Sequence, residues 1–155
     1  MLSVENLAVS FFRDGVETTP VRSVSFTIQP GERVALVGES GCGKSLTALS
    51  LGRLSPTDRA HLSGRIVFEG IDVLQASSAV LQQVRGKGIA YVFQDPSASL
   101  NPVMRIGAQV AENMVGVSRR EQTLRCHDLL ARVGLPDPAR AARAYPCELS
   151  GGQQQ

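Results

Sequence analysis

Cysteine and histidine are scarce in this chain of 155 residues. The three cysteines, Cys42, Cys126 and Cys147, are odd in number and contain no C-x-x-C pair. That excludes a disulfide framework and fits a reducing cytoplasm. His61 and His127 have no ligand-like spacing with these cysteines, so no zinc site is expected. Long hydrophobic runs are missing too. No stretch approaches the roughly 20 apolar residues that span a bilayer, and any membrane association must come through a partner. The N-terminus, MLSVENLAVSFFRDG, lacks a basic segment before an apolar one, so it is not a secretory signal. There is no block of like charge. Sixteen basic residues are scattered among 14 acidic ones for a net charge of +2, which gives no reason to expect a nucleic-acid partner.

What is present is globular. Hydrophobic residues make up 43% of the chain, and its length suits one ordinary domain with a single core. Val4, Leu7, Val9 and Phe11 alternate loosely and suggest a first strand. Val24, Phe26 and Ile28 alternate strictly with Ser25 and Thr27, which predicts a half-buried strand closed by Pro30-Gly31. The run Val-Ala-Leu-Val at 34–37 suits a strand buried on both faces of a parallel sheet. A helix is expected over 44–54, a strand and turn over 64–74, a short helix around Leu81 and Val84, and a further strand over 89–93. Beyond Pro96 and Pro102 the texture becomes helical from 106 to 133, with a break near Gly116. Ser118 with Glu121 reads as a capping box.

Residues 38–45 read GESGCGKS, the pattern G-x-x-x-x-G-K-[ST]. A glycine-rich loop of this kind lets backbone N–H groups surround a polyphosphate, because glycine permits positive φ and close approach. The following helix points its positive end at the same anion. Gly38, Glu39, Ser40, Gly41, Cys42 and Gly43 would form the cradle. Lys44 would reach the β- and γ-phosphates, and the Ser45 hydroxyl would ligate Mg²⁺. Its place between an apolar run and a helical segment is the context the motif requires. Cys42 occupies a spacer position and needs no role of its own.

Three segments in order, GESGCGKS, VFQDPSASLNPV and YPCELSGGQQQ, resemble the nucleotide-binding subunit of ATP-binding cassette (ABC) transporters. The stretch VFQDPSASLNPVMRIGAQVAE is similar to the ATPases of dipeptide, oligopeptide and nickel importers, and the resemblance runs the length of the chain. It implies an α/β P-loop NTPase of the ABC type: a RecA-like core, an N-terminal antiparallel β region and a helical insertion. On that division 1–94 hold the β region and phosphate-loop core, 95–149 the glutamine loop and helical subdomain, and 150–155 the start of the signature helix. Gln94 matches the glutamine that touches Mg²⁺ or the attacking water. Ser150, Gly151, Gly152 and Gln153 match the signature that approaches ATP held by the opposite subunit. Phe11 or Phe12 falls where the family stacks an aromatic on adenine, although Phe11 equally fits a core strand. The implied cofactors are ATP and Mg²⁺. The implied partners are a second cassette, transmembrane permease subunits and an external substrate-binding protein, with the cassette peripheral on the cytoplasmic face of the membrane.

In that family an apolar strand ending in Asp-Glu and a distant histidine follow the signature, whereas the sequence closes at Gln155. The expectation is an incomplete cassette that binds nucleotide weakly and does not hydrolyse it alone. It would leave Val34–Val37 with unpaired edges. Ile66-Val67-Phe68-Glu69 mimics an apolar strand ending in a carboxylate but corresponds to the antiparallel region. A cassette protein outside transport, and a non-catalytic fragment, are the alternatives.

Overall fold

A computed structural model describes residues 1–54, 57 and 59–155. They form two compact units, Met1–Ala90 and Tyr91–Gln155.

The first unit is built on an antiparallel sheet with strand order β2-β1-β3-β4. The strands are β1 (Leu2–Arg13), β2 (Val16–Ile28), β3 (Ala60–Phe68) and β4 (Ile71–Asp72). Its core gathers Leu2, Val4, Leu7, Val9, Val21, Ile66, Val73 and Leu81. The loose alternation of β1 now has a cause. Val4, Leu7 and Val9 are all buried, yet the first two stand three positions apart, which a regular pleat would place on opposite faces. The extra residue is absorbed by a bulge, seen as register shifts on both neighbours of β1. Asn6 sits there at φ 48°. Its N–H donates to Ser25 Oγ at 2.8 Å, and Ser23 Oγ donates to its Oδ1 at 3.2 Å. Two polar side chains thus satisfy backbone and amide groups that the broken ladder would strand.

Gly64 faces this bulge at φ +96°, and a Cβ on it would stand 2.4 Å from the Asn6 carbonyl oxygen. Glu69, at φ 48°, turns the chain from β3 into β4, so the Ile66–Glu69 segment is antiparallel as expected. Helix α1 (Lys44–Ser50) is shorter than the expected 44–54, since Leu51 to Arg53 form a turn with Arg53 at φ 51°. Helix α2 (Ser78–Gln83) runs on into a π-turn, Val84–Gly88.

The runs at 34–37 and 89–93 are not strands here, although the unpaired edges expected for Val34–Val37 are observed. Among the described residues neither joins a ladder. Val37 is 88% exposed, and Val34 and Leu36 are also exposed. A strand is defined by its hydrogen-bonded neighbours, and among the described residues neither run pairs with one.

The second unit is helical: α3 (Pro96–Ser99), α4 (Ile106–Ala111), α5 (Arg119–Arg132), α6 (Pro138–Arg143) and α7 (Gly151–Gln154). Ile106, Cys126, Leu130 and Ala141 form its core. Ser118 Oγ accepts from the Glu121 N–H at 3.3 Å, which is half of the expected box. The Glu121 carboxylate pairs instead with Arg125 at 2.5 Å, an i,i+4 partner within easier reach. Among the described residues no helix is long and apolar enough to cross a membrane.

Gly64→Ala should destabilise the first unit by about 1–3 kcal/mol, through positive φ and a backbone clash at the bulge. Chemical denaturation alongside Gly70→Ala, which has positive φ but open space, checks it. An equal loss in both variants would remove the clash from the account.

Candidate nucleotide site

The phosphate loop is set by how its glycines meet their surroundings. Gly43, the residue before α1, lies at φ +93°, and a Cβ there would stand 2.9 Å from Val21 Cγ2 and 3.0 Å from the Pro20 carbonyl oxygen. The end of the loop is therefore pressed against β2, and only glycine allows that approach. Gly41 also lies at positive φ, +82°. A Cβ on Gly38 would meet Cys42 Sγ at 2.8 Å, so the two ends of the loop close on each other.

Lys44 turns back over this loop. Its ammonium donates to the carbonyls of Gly38 at 2.8 Å and Glu39 at 2.6 Å, and lies 3.6 Å from Cys42 Sγ. The cation is thereby held within the curve of an exposed backbone, next to the first turn of α1. Ser45, exposed on that turn, presents a hydroxyl. Buried Thr47 and Ser50 spend their hydroxyls on the carbonyls four residues back, at 3.0 and 2.7 Å. They fasten the helix and offer nothing to a ligand.

The far end of α1 is held by two arginines that sequence reasoning did not single out. Arg85 donates from Nε to the Gly52 carbonyl at 2.8 Å and from Nη2 to that of Arg53 at 2.5 Å. Arg53 in turn donates to the carbonyls of Leu74 and Ala76, at 3.3 and 2.9 Å. Arg85 thus pins the turn that follows α1, and Arg53 ties that turn to the segment after β4. Nothing in the sequence announces this, because the partners lie 21 to 33 residues apart.

Phe11 is half-buried and packs against the sheet core, whereas Phe12 is exposed. Packing thus accounts for Phe11 without a ligand. Gln94 is exposed and belongs to the second unit. Next to it, Asp95 caps α3: its carboxylate accepts from the Ser97 hydroxyl at 2.6 Å and from the N–H groups of Ser97 and Ala98. The Ser97 hydroxyl first, then the Ala98 N–H, lower the Asp95 pKa. The dipeptide Asp-Pro, with proline at the first helical position, was the available signal. The signature opens α7, where the Ser150 N–H donates to Gln153 Oε1 at 3.0 Å. Gly151 and Gly152 are exposed with no atom within 4 Å of a would-be Cβ.

A lysine caged by a glycine loop ahead of a helix, with LSGGQ opening a later helix, matches one family when compared with known proteins. The ABC transporter profile matches residues 21–155. The chain belongs to that family. A putative peptide import ATP-binding protein of Brucella melitensis is 46% identical over 158 residues, covering 100% of this chain and 48% of the relative. The oligopeptide transport ATP-binding protein OppD of Bacillus subtilis is 40% identical, with 44% of its length covered. The chain thus spans about half the length of the curated relatives it matches. Among solved structures, an ATP-binding cassette in a dimeric post-hydrolysis state, bound to ADP and Pi, superposes with a TM-score of 0.82 at 25% identity. That match covers 99% of this chain and 65% of the other. The fold is that of a P-loop ABC ATPase, with its antiparallel N-terminal sheet and helical subdomain.

Asp95 yields a pH prediction. A carboxyl whose pKa is lowered on folding adds stability above its unfolded value, near 3.9. It loses that contribution as pH falls through the lower folded value. The amides of Ser97 and Ala98 should shift together below about pH 4. In Asp95→Asn that step should vanish while α3 persists at neutral pH. NMR titration of these amides reads both, and an unchanged step in the variant would refute the assignment.

Proposed function

We propose that this chain supplies the nucleotide-binding part of an ABC importer subunit, coupling ATP binding and hydrolysis to uptake of peptides or a related small solute. The observation that carries the reading is the Lys44 ammonium held inside the glycine loop by Gly38 and Glu39. The relatives matched across the whole chain are peptide and oligopeptide transport ATP-binding proteins, which supports the solute class.

The residues present fit MgATP. The loop backbone and Lys44 would hold the phosphates, and the Ser45 hydroxyl would hold Mg²⁺. When bound, the metal neutralises charge on the β- and γ-phosphates. Gln94 is the candidate link between metal or water and a membrane partner. Ser150 to Gln153 would meet the ATP held by a second cassette, itself identical or not. Phe11 remains a candidate for adenine stacking only at its exposed edge. The assembly we propose adds transmembrane permease subunits and places the cassette on the cytoplasmic face of the membrane. No nucleic acid enters it.

Tested alone, the 155-residue chain is expected to bind nucleotide without hydrolysing it. Exposure of Val34, Leu36 and Val37, in a run that joins no ladder just before the phosphate loop, supports this. Phosphate release measured against a Lys44→Ala control should stay at background, and Lys44-dependent turnover would reverse the reading.

Lys44→Ala should weaken binding of a fluorescent ATP analogue by roughly 10- to 100-fold, the worth of charge-assisted hydrogen bonds of about 1.5–3 kcal/mol. Equal binding by both proteins would sink the phosphate-loop assignment. MgATP should also slow labelling of exposed Cys42 and leave Cys147 unaffected. Cys126 should label slowest throughout, since burial raises its thiol pKa. A time course read by peptide mass separates the three.

A further inference from the structure

The second unit contains a cavity of about 570 Å³ between α4, α5 and α6, remote in sequence from the phosphate loop. Four basic side chains line it: Arg105, Arg119, His127 and Arg143. No Asp or Glu does. Its walls are made shallow by small residues, Gly107, Ala108, Ala111 and Ala142, which open room between the helices. On α5 the lining positions, Arg119, Gln122, Thr123, Cys126 and His127, follow helical spacing, so one continuous face is turned to the cavity.

The basic residues are left without counter-charges for a traceable reason. Most acids of this unit serve elsewhere. Asp95 caps α3, Asp137 accepts from the Arg140 N–H at 2.9 Å, Glu148 accepts from the Tyr145 N–H at 2.7 Å, and Glu121 pairs with Arg125. Among the described residues, Arg105, Arg119 and Arg143 make no ion pair. Two of them are nonetheless oriented. The Arg105 guanidinium lies over the Tyr145 ring, 5.4 Å from its centroid, and Arg143 Nε donates to the Ala139 carbonyl at 3.1 Å. Each still has free guanidinium donors in the planar fork that suits carboxylate and phosphate. The volume is that of a small-molecule pocket, and its lining combines basic and amide groups with small apolar ones.

We propose that this cavity binds a small molecule carrying one oxyanion group, carboxylate or phosphate, on an apolar body. The arginines take the oxyanion, Gln122 and Thr123 offer further donors, and the alanine floor takes the body. Nothing in the proposal depends on ATP binding, so it stands or falls separately from the transport reading.

The test is residue-resolved NMR of the full chain carrying Lys44→Ala, which removes the phosphate loop as a competing anion site. Inorganic phosphate and hexanoate are titrated separately. Saturable shifts are expected at the amides of Ala108, Thr123, His127 and Ala142 with at least one probe. Response to hexanoate assigns a carboxylate ligand, and response to phosphate alone assigns a phosphate-bearing one. Arg119→Gln with Arg143→Gln should weaken the response at least tenfold, and Ala108→Leu should block it by filling the floor. Arg125→Gln, whose partner is Glu121 outside the cavity, should leave it unchanged. All three arginines are exposed, and unshifted amides elsewhere in the spectrum confirm folding. No saturable shift with either probe would overturn the proposal. So would equal response in the double variant, or binding of an acidic peptide without either small anion.

Discussion

Gly43 passes so near β2 that a methyl group on its Cα would stand 2.9 Å from Val21 and 3.0 Å from the Pro20 carbonyl. The phosphate loop depends on that approach. It joins the antiparallel sheet, whose order is fixed by the buried side chains of β1, to the first turn of α1. It sets the position from which Lys44 can turn back to the carbonyls of Gly38 and Glu39. The other end of the helix is fixed independently, by Arg85 on Gly52 and Arg53. A seven-residue helix cannot hold itself in water. This one starts against β2 and runs into a turn pinned by Arg85.

Motifs and strictly periodic segments were legible in the sequence; features resting on distant pairings were not. The phosphate loop, the alternating half of β2 and the helical stretch after Pro102 carry their signal within a few residues. The bulge in β1 was visible only as untidy alternation, because its meaning depends on Ser23 and Ser25 in the next strand. Arg53 and Arg85 gave no signal, since an arginine that serves carbonyls 21 or more residues away looks like any surface arginine. The half-made capping box at Ser118 shows the limit of motif reading within a helix. The pattern S-x-x-E fixes one hydrogen bond, but Arg125 competes for the glutamate.

Apolar runs expose another limit. Val34 to Val37 read as a buried strand on composition, and composition does state what the segment needs. Pairing depends on which neighbours are present, and none of the four strands is one. The segment therefore shows exposed valines directly before the phosphate loop, while the antiparallel sheet beside it has a closed core with Leu7 and Ile66 fully buried.

The signature glycines differ in kind from Gly43. Gly43 is required from within, by positive φ and by Pro20. Gly151 and Gly152 have neither positive φ nor any neighbour within 4 Å of a would-be Cβ. Glycine inside a helix costs about 1 kcal/mol relative to alanine, and α7 contains two in its first turn. The Gln153 and Gln154 side chains offset part of that cost through bonds to the Ser150 N–H and to the carbonyls of Pro146 and Leu149. A bare, exposed helix start, with its capping N–H already satisfied by Gln153, suits close approach by another molecule. That openness is what the proposed contact of Ser150 to Gln153 with nucleotide on a second cassette would use.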